Sequence, residues 1–330
     1  MPIPLIIGAA VATGIYGAYK SAKGVMDRNE ASGLNQDAKS MVDNAQKLVD
    51  TQRKATNDAI EAYGARKLRA FNGVIADFIE TFGKLKNVEV SQSPELDKLN
   101  LGDFSTQTLK GLRQDYQALK DAGLGLGAGL GSGAALAFGA YNGTMLLASA
   151  GTGAAISTLS GAAATNATLA WLGGGTLAAG GYGMAGGMMV LGGIVAGPAL
   201  AIFGHIVGNK GEEALNNARS NMETAKTVSA DAKKLATELN AIERVTTLAN
   251  GTFSSISTKL RRSVRELEKV IELEGRDFAK FEERSQEKVL RTVKFAQLIK
   301  AMIDTPILDN NGKLALSTEK RVQDIAEALA

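Results

Sequence analysis

The chain has 330 residues, one histidine and no cysteine, which excludes disulfides, zinc–thiolate centres, cysteine nucleophiles and any His-rich metal site. Its 37 basic and 34 acidic side chains leave a net charge of +3, and only 5% of residues are aromatic. That balance argues against a nucleic-acid partner, which calls for a basic face or stacking rings.

The charges are not spread evenly. No Asp, Glu, Lys or Arg occurs from Ala122 to Asn209, a run of 88 residues that also holds 24 of the 38 glycines. The chain therefore divides into an apolar N-terminal helix (1–24), an amphipathic arm (25–121), a glycine-rich uncharged insert (122–209) and a second amphipathic arm (210–330). The expected fold class is all-α: an elongated bundle of long amphipathic helices flanking a Gly/Ala-rich hydrophobic helical hairpin.

Met1 to Tyr19 is uncharged and rich in small residues. Lys20 and Lys23 follow it and no basic residue precedes it, the reverse of a secretory signal peptide. The segment suits an interfacial or pore-lining helix, or a buried terminal one, with the two lysines at an anionic leaflet.

In the first arm, Leu34, Ala38, Met41, Ala45, Leu48, Gln52, Ala55, Ala59 and Ala62 step by four and three, one stripe of a helix. Bulkier residues take over at Leu68, Phe71, Ile75, Phe78 and Phe82. Such an arm, from about Ala31 to Leu85, is a rod of roughly 80 Å, with Gly64, Gly73 and Gly83 as points where it bends or breaks. Residues 88–103 read as a connector, with Ser93-Pro94-Glu95 as a helix start. A further helix from about Ser105 to Lys120 leads into the insert.

About 20 uncharged residues span a bilayer, so the insert has room for two long spans or up to four. The strongest candidates are residues 182–207 and 144–164. Glycine costs about 1 kcal/mol relative to alanine in a water-exposed helix, whereas in lipid small-xxx-small pairs let helices pack closely. The pairs Gly183/Gly187, Gly193/Gly197 and Gly204/Gly208 are candidate packing positions. Ser149, Thr152, Ser157 and Ser160 share an arc of about 140° on a helix and are candidates to line a pore; alternatively they fill close contacts. Trp171 and His205 are candidate interface anchors. A buried core of a water-soluble protein is the competing reading of the insert, since a helix apolar all round suits protein or lipid.

The second arm repeats the helical stripe at Leu215, Ala218, Met222, Ala225, Val228, Ala232, Leu235, Leu239 and Ile242. Asn250-Gly251 reads as a break. The pattern restarts at Phe253, Ile256, Leu260, Val264, Leu267 and Ile271 and runs on towards Ile303. Asp309-Asn310-Asn311-Gly312 reads as a turn, and Ser317 as the cap of a last helix ending near Leu329. No convincing strand is found.

Two motifs resemble chemistry and fail. Gly181 to Gly186 matches G-x-G-x-x-G but lacks a preceding strand and an acid at the right distance. Gly204 to Lys210 lacks the Ser/Thr and the spacing of a phosphate loop. The arm carboxylates sit among Lys and Arg as mixed-charge faces (Glu266-Lys269, Glu282-Arg284, Glu283-Lys288), and Arg261, Arg262 and Arg265 form a small basic patch. No catalytic residue, metal site or cofactor is expected.

An arm, a glycine-rich hydrophobic hairpin and a second arm together resemble the organisation of α-helical pore-forming proteins: the colicin pore domain, the ClyA-like toxins and, over Thr165 to Gly208, the apolipoprotein L family and the interferon-stimulated glycine-rich membrane proteins. The resemblance implies a membrane-inserting, oligomerising protein that permeabilises a bilayer, reaching the cytoplasmic membrane from the cytosol by way of a soluble form. Its implied partners are lipid, further copies of itself and a protein held by the arms. The alternative is a membrane-anchored scaffold or tether without pore activity.

Overall fold

The five prolines all fall outside residues 5–93 and 199–305, so nothing in either arm removes a helical N–H or forces an early stop. The computed structural model describes residues 22–88, 109–121, 135, 138–140, 211–309 and 313–329. These form α1 (Ala22–Ala70), a π-type turn (Phe71–Ile75), α2 (Ala76–Phe82), α3 (Leu109–Asp121), α4 (Gly211–Glu274), a 3-10 turn (Phe278–Lys280), α5 (Glu283–Asp304) and α6 (Thr318–Ala328). The protein is all-α. Among the described residues there are only isolated β-bridges, Lys86 with Asp277 and Leu308 with Leu314.

The frame is the pairing of α1 with α4. Glu30 meets Arg219, Asn35 meets Asn221, Gln52 meets Glu243, Thr56 meets the Leu239 carbonyl and Arg66 meets Asn250 and Ser254. The sequence separation stays between 183 and 191 throughout. The two helices are therefore parallel and in register. The line that α2 continues from α1 ends level with α4: the Lys86 amide donates to Arg276 O at 2.8 Å and the Phe278 amide to Lys86 O at 3.0 Å. At 1.5 Å per residue α4 alone is roughly 96 Å long.

This rod has two unlike halves. The distal half is a two-helix seam of small residues, Ala38, Val42, Ala45 and Val49 against Ala225, Val228, Ala232 and Leu239. The other half is a head in which α2, α5 and α6 pack on α4 and α3 packs on α2 and the π-type turn. There Tyr63, Leu68, Phe71, Phe78, Leu112, Phe253, Ile256, Leu260, Leu298, Ile299 and Met302 make a continuous core. The chain folds back from α4 at Gly275, whose φ of +86° suits glycine. α5 then returns antiparallel, with Ser285 on Glu274 and Arg291 on Glu266. Pro306 follows the end of α5, and α6 closes the head through Arg244–Glu319 at 2.7 Å.

Several expectations need correction. Asn250-Gly251 is no break: α4 runs through it, because Asn250 accepts from Arg66 Nε at 2.5 Å and the neighbouring Ala249 and Phe253 are locked in the core. The second-arm pattern does not run on unbroken to Ile303; it reverses at Gly275. Gly64 does not interrupt α1. Gly73 does mark a distortion, with φ −128° and ψ −106°, and Gly83 ends α2. The buried seam of α1 follows Val42, Val49, Thr56 and Ile60 rather than Leu48 (43% exposed), Gln52 or Ala62. Ser317 stands at the start of α6 but makes no side-chain cap; its neighbour Thr318 donates instead to the Pro306 carbonyl at 2.6 Å. On the mixed-charge face, Glu266 pairs with Arg262 and Arg291.

Candidate functional site

The most unusual chemistry among the described residues lies where the insert meets the arms. One face of α1 and of the π-type turn that continues it carries Ile60, Tyr63, Lys67, Phe71 and Val74 at steps of three and four, so the helix puts a lysine in the middle of an apolar stripe. All five are buried, Lys67 with 0% exposure. Against this face lies the described part of the insert: Ala135, Phe138, Gly139 and Ala140.

Two glycines permit the contact. A Cβ on Gly64 would sit 1.8 Å from the Ala135 carbonyl oxygen, and a Cβ on Gly139 would sit 2.0 Å from that of Ile60. The backbones touch at a distance only glycine tolerates. Phe138 packs edge-on to Phe71, with ring centroids 5.9 Å apart. On the far side the strap after α5 closes the slot: the amides of Ile307 and Leu308 both donate to Ala140 O, at 2.9 and 3.0 Å.

Lys67 Nζ donates to Phe138 O at 3.2 Å and stands 4.3 Å from the centre of the Tyr63 ring. Burial disfavours its charged form. Asp304 pulls the other way, and the outcome is a pKa lowered to about 7. Tyr63 donates to Met302 O at 3.2 Å, and burial pushes its phenol well above the ordinary range. Beyond Asp304 the network continues to Lys300, which contacts both Asp304 and Asp115, the latter at 3.2 Å and out of line for a hydrogen bond. Burial raises Asp115 against the pull of Lys300. Burial opposes the charge on Lys300, but the hydrogen bond to Asp304 and the two carboxylates outweigh it and raise its pKa.

This arrangement can hold a segment against the arms or release it. Among the described residues no cluster of His, Asp or Glu fits a metal, and two open grooves lie on the surface, one on the distal seam beside Met41 and Leu48 and one between α2 and α3 beside Ile79 and Tyr116. The predicted site residues Gly183, Gly187, Gly193, Gly197, Gly204, Gly208, Ser149, Thr152, Ser157, Ser160, Trp171 and His205 all lie outside the described residues. The sequence reading missed Lys67, though a lysine between Tyr63 and Phe71 on an apolar face was a visible signal.

The described residues define the class: an all-α protein built on a parallel helical rod with a helical head. No family model, no curated protein and no solved structure matches the chain.

Proposed function

We propose that this protein enters a bilayer through its neutral insert, oligomerises there and permeabilises the membrane. The observation that carries the reading is the run of 88 residues without a charged side chain, which follows the 13-residue α3 and leads into the 64-residue α4. Among the described residues no helix is long and apolar enough to cross a membrane, so the reading assigns lipid contact to the insert and assembly to the arms. Gly183, Gly187, Gly193, Gly197, Gly204 and Gly208 would pack spans together. Ser149, Thr152, Ser157 and Ser160 would face the wet side, with Trp171 and His205 at the interfaces. A cytosolic effector of cell killing, turned on its own membrane, fits this plan.

The insert has room for two long spans or up to four, and an even number keeps both charged arms on one side of the membrane.

The test is flotation and dye release with anionic vesicles. Binding with leakage supports the pore, and Gly187→Leu with Gly193→Leu should abolish leakage while binding persists. Binding without leakage by the unaltered chain favours the tether, for which the long parallel rod is suited. No binding at any pH between 5 and 9 overturns both.

A further inference from the structure

We propose that the segment bearing Ala135, Phe138, Gly139 and Ala140 is the latch of the insert: docked in the slot between α1 and the Ile307–Leu308 strap it holds the neutral stretch on the arms, and the Lys67 amine is the bolt whose charging opens it. The proposal rests on the membrane reading above for its purpose, but the latch itself is defined by described residues.

The slot is tight, with contacts that favour docking: the reciprocal Gly64–Gly139 approach, the Phe71–Phe138 pair and the two amides on Ala140 O. One element of it opposes docking. Lys67 gives up water entirely and receives in return a carbonyl, an aromatic face and a carboxylate one shell away. Undocking returns the amine to water, where its charge costs nothing. A buried amine is therefore the natural point at which a proton can shift the equilibrium.

The groups facing it are few. α5 presents Asp304, which is held by Lys300 and, through it, Asp115 of α3. α1 presents Tyr63, whose phenol stays protonated, and α4 closes the corner with Phe253, edge-on to Tyr63 at 6.0 Å. The described residues of the docked segment bring no titratable side chain. The sign follows. The docked pKa, about 7, is below that of a free lysine, 10.5. Docking is thus strongest above pH 10.5 and weakens as pH falls, with nearly all of the change complete by pH 7. Between pH 9 and pH 7 the ratio of undocked to docked forms should rise roughly 50-fold.

Hydrogen exchange of the Ile307 and Leu308 amides, corrected for intrinsic rates, reads the latch without any membrane. Their protection should fall by that factor from pH 9 to pH 7 in the unaltered chain. In Lys67→Met, which keeps the stem and loses the amine, the change should shrink to under about threefold. Equal pH dependence in the two proteins overturns the role of Lys67. Gly139→Ala, which drives a Cβ into Ile60 O, should remove protection at every pH; retained protection overturns the docking. The single Trp171 then reports entry into vesicles of phosphatidylcholine and phosphatidylglycerol, about 3:1, by quenching from brominated acyl chains. At pH 7, Gly139→Ala should be quenched faster and Lys67→Met more slowly than the unaltered chain, and equal rates in all three overturn the latch. No quenching in any of them, with pH-dependent protection intact, overturns the membrane reading and leaves the docking switch standing.

Discussion

Gly64 and Gly251 are both glycines inside long helices, yet their surroundings assign them opposite roles. A methyl on Gly64 meets the Ala135 carbonyl at 1.8 Å, whereas one on Gly251 meets nothing within 4 Å. Gly64→Ala should therefore cost about 1–3 kcal/mol through overpacking. Gly251→Ala should add roughly 0.5–1 kcal/mol from helix propensity alone. Urea titrations of the two variants check the pair, and a loss of stability in Gly251→Ala would contradict its exposed setting. Thr56 shows the same dependence on context. Its hydroxyl lies between two helices, 2.9 Å from Gln52 O and 3.0 Å from Leu239 O, so it is part of the seam despite being polar. A hydropathy pattern cannot find such a residue, because its polarity is satisfied only by the neighbouring helix.

At the scale of elements, the first-arm stripe was legible as a helix but misplaced on its surface. Steps averaging 3.5 residues drift around a helix of 3.6 residues per turn by about 20° every seven residues. Over 28 residues that drift carries the expected line off the seam, which is why Ala38 and Ala45 are buried while Leu48 and Ala62 are not. The bulky line from Leu68 to Phe78 was placed well because aromatic side chains leave less choice of face. The break expected at Asn250-Gly251 failed because local turn propensity, about 1 kcal/mol for a helical glycine, is small beside the burial of Ala249, Phe253 and Ile256. The two halves of the rod should differ in stability for the same reason. Alanine and valine bury little area, and among the described residues no third helix packs on the distal seam. Amides of residues 38–49 and 225–232 should exchange through local opening well before those of residues 253–267. Hydrogen exchange resolved by peptide tests this, and uniform protection along α4 would refute it.

For the whole molecule the decisive property is the parallel register of α1 and α4. It requires the chain to travel back along the rod between them, and so sets where the ends of the insert are held. Spin labels on the exposed Lys39 and Lys226 stand at the same level of the rod and should report a short distance. Labels on Lys39 and Arg262 are separated by 36 residues of α4, roughly 54 Å. Pulsed dipolar spectroscopy distinguishes this from an antiparallel pair, in which Lys39 would lie nearer Arg262 than Lys226. The same arrangement confines the latch to one level, beside Ile60 to Phe71, and leaves the distal seam free of it.

The amino-acid sequence by itself determined that the chain is helical, that its charges lie on two arms, that its middle is neutral and glycine-rich, and that Leu68, Phe71, Ile75, Phe78, Phe253, Ile256, Leu260, Val264 and Leu267 are buried. These follow from periodicity and composition, which act between residues a few positions apart. Only the tertiary structure decided that the long helices run parallel, that α4 continues past Gly251 and turns at Gly275, and that Lys67 lies buried against Phe138. Those outcomes depend on backbone approaching backbone across long stretches of chain, as Gly64 meets Gly139, and a contact of that kind leaves no repeat in the sequence from which to read it.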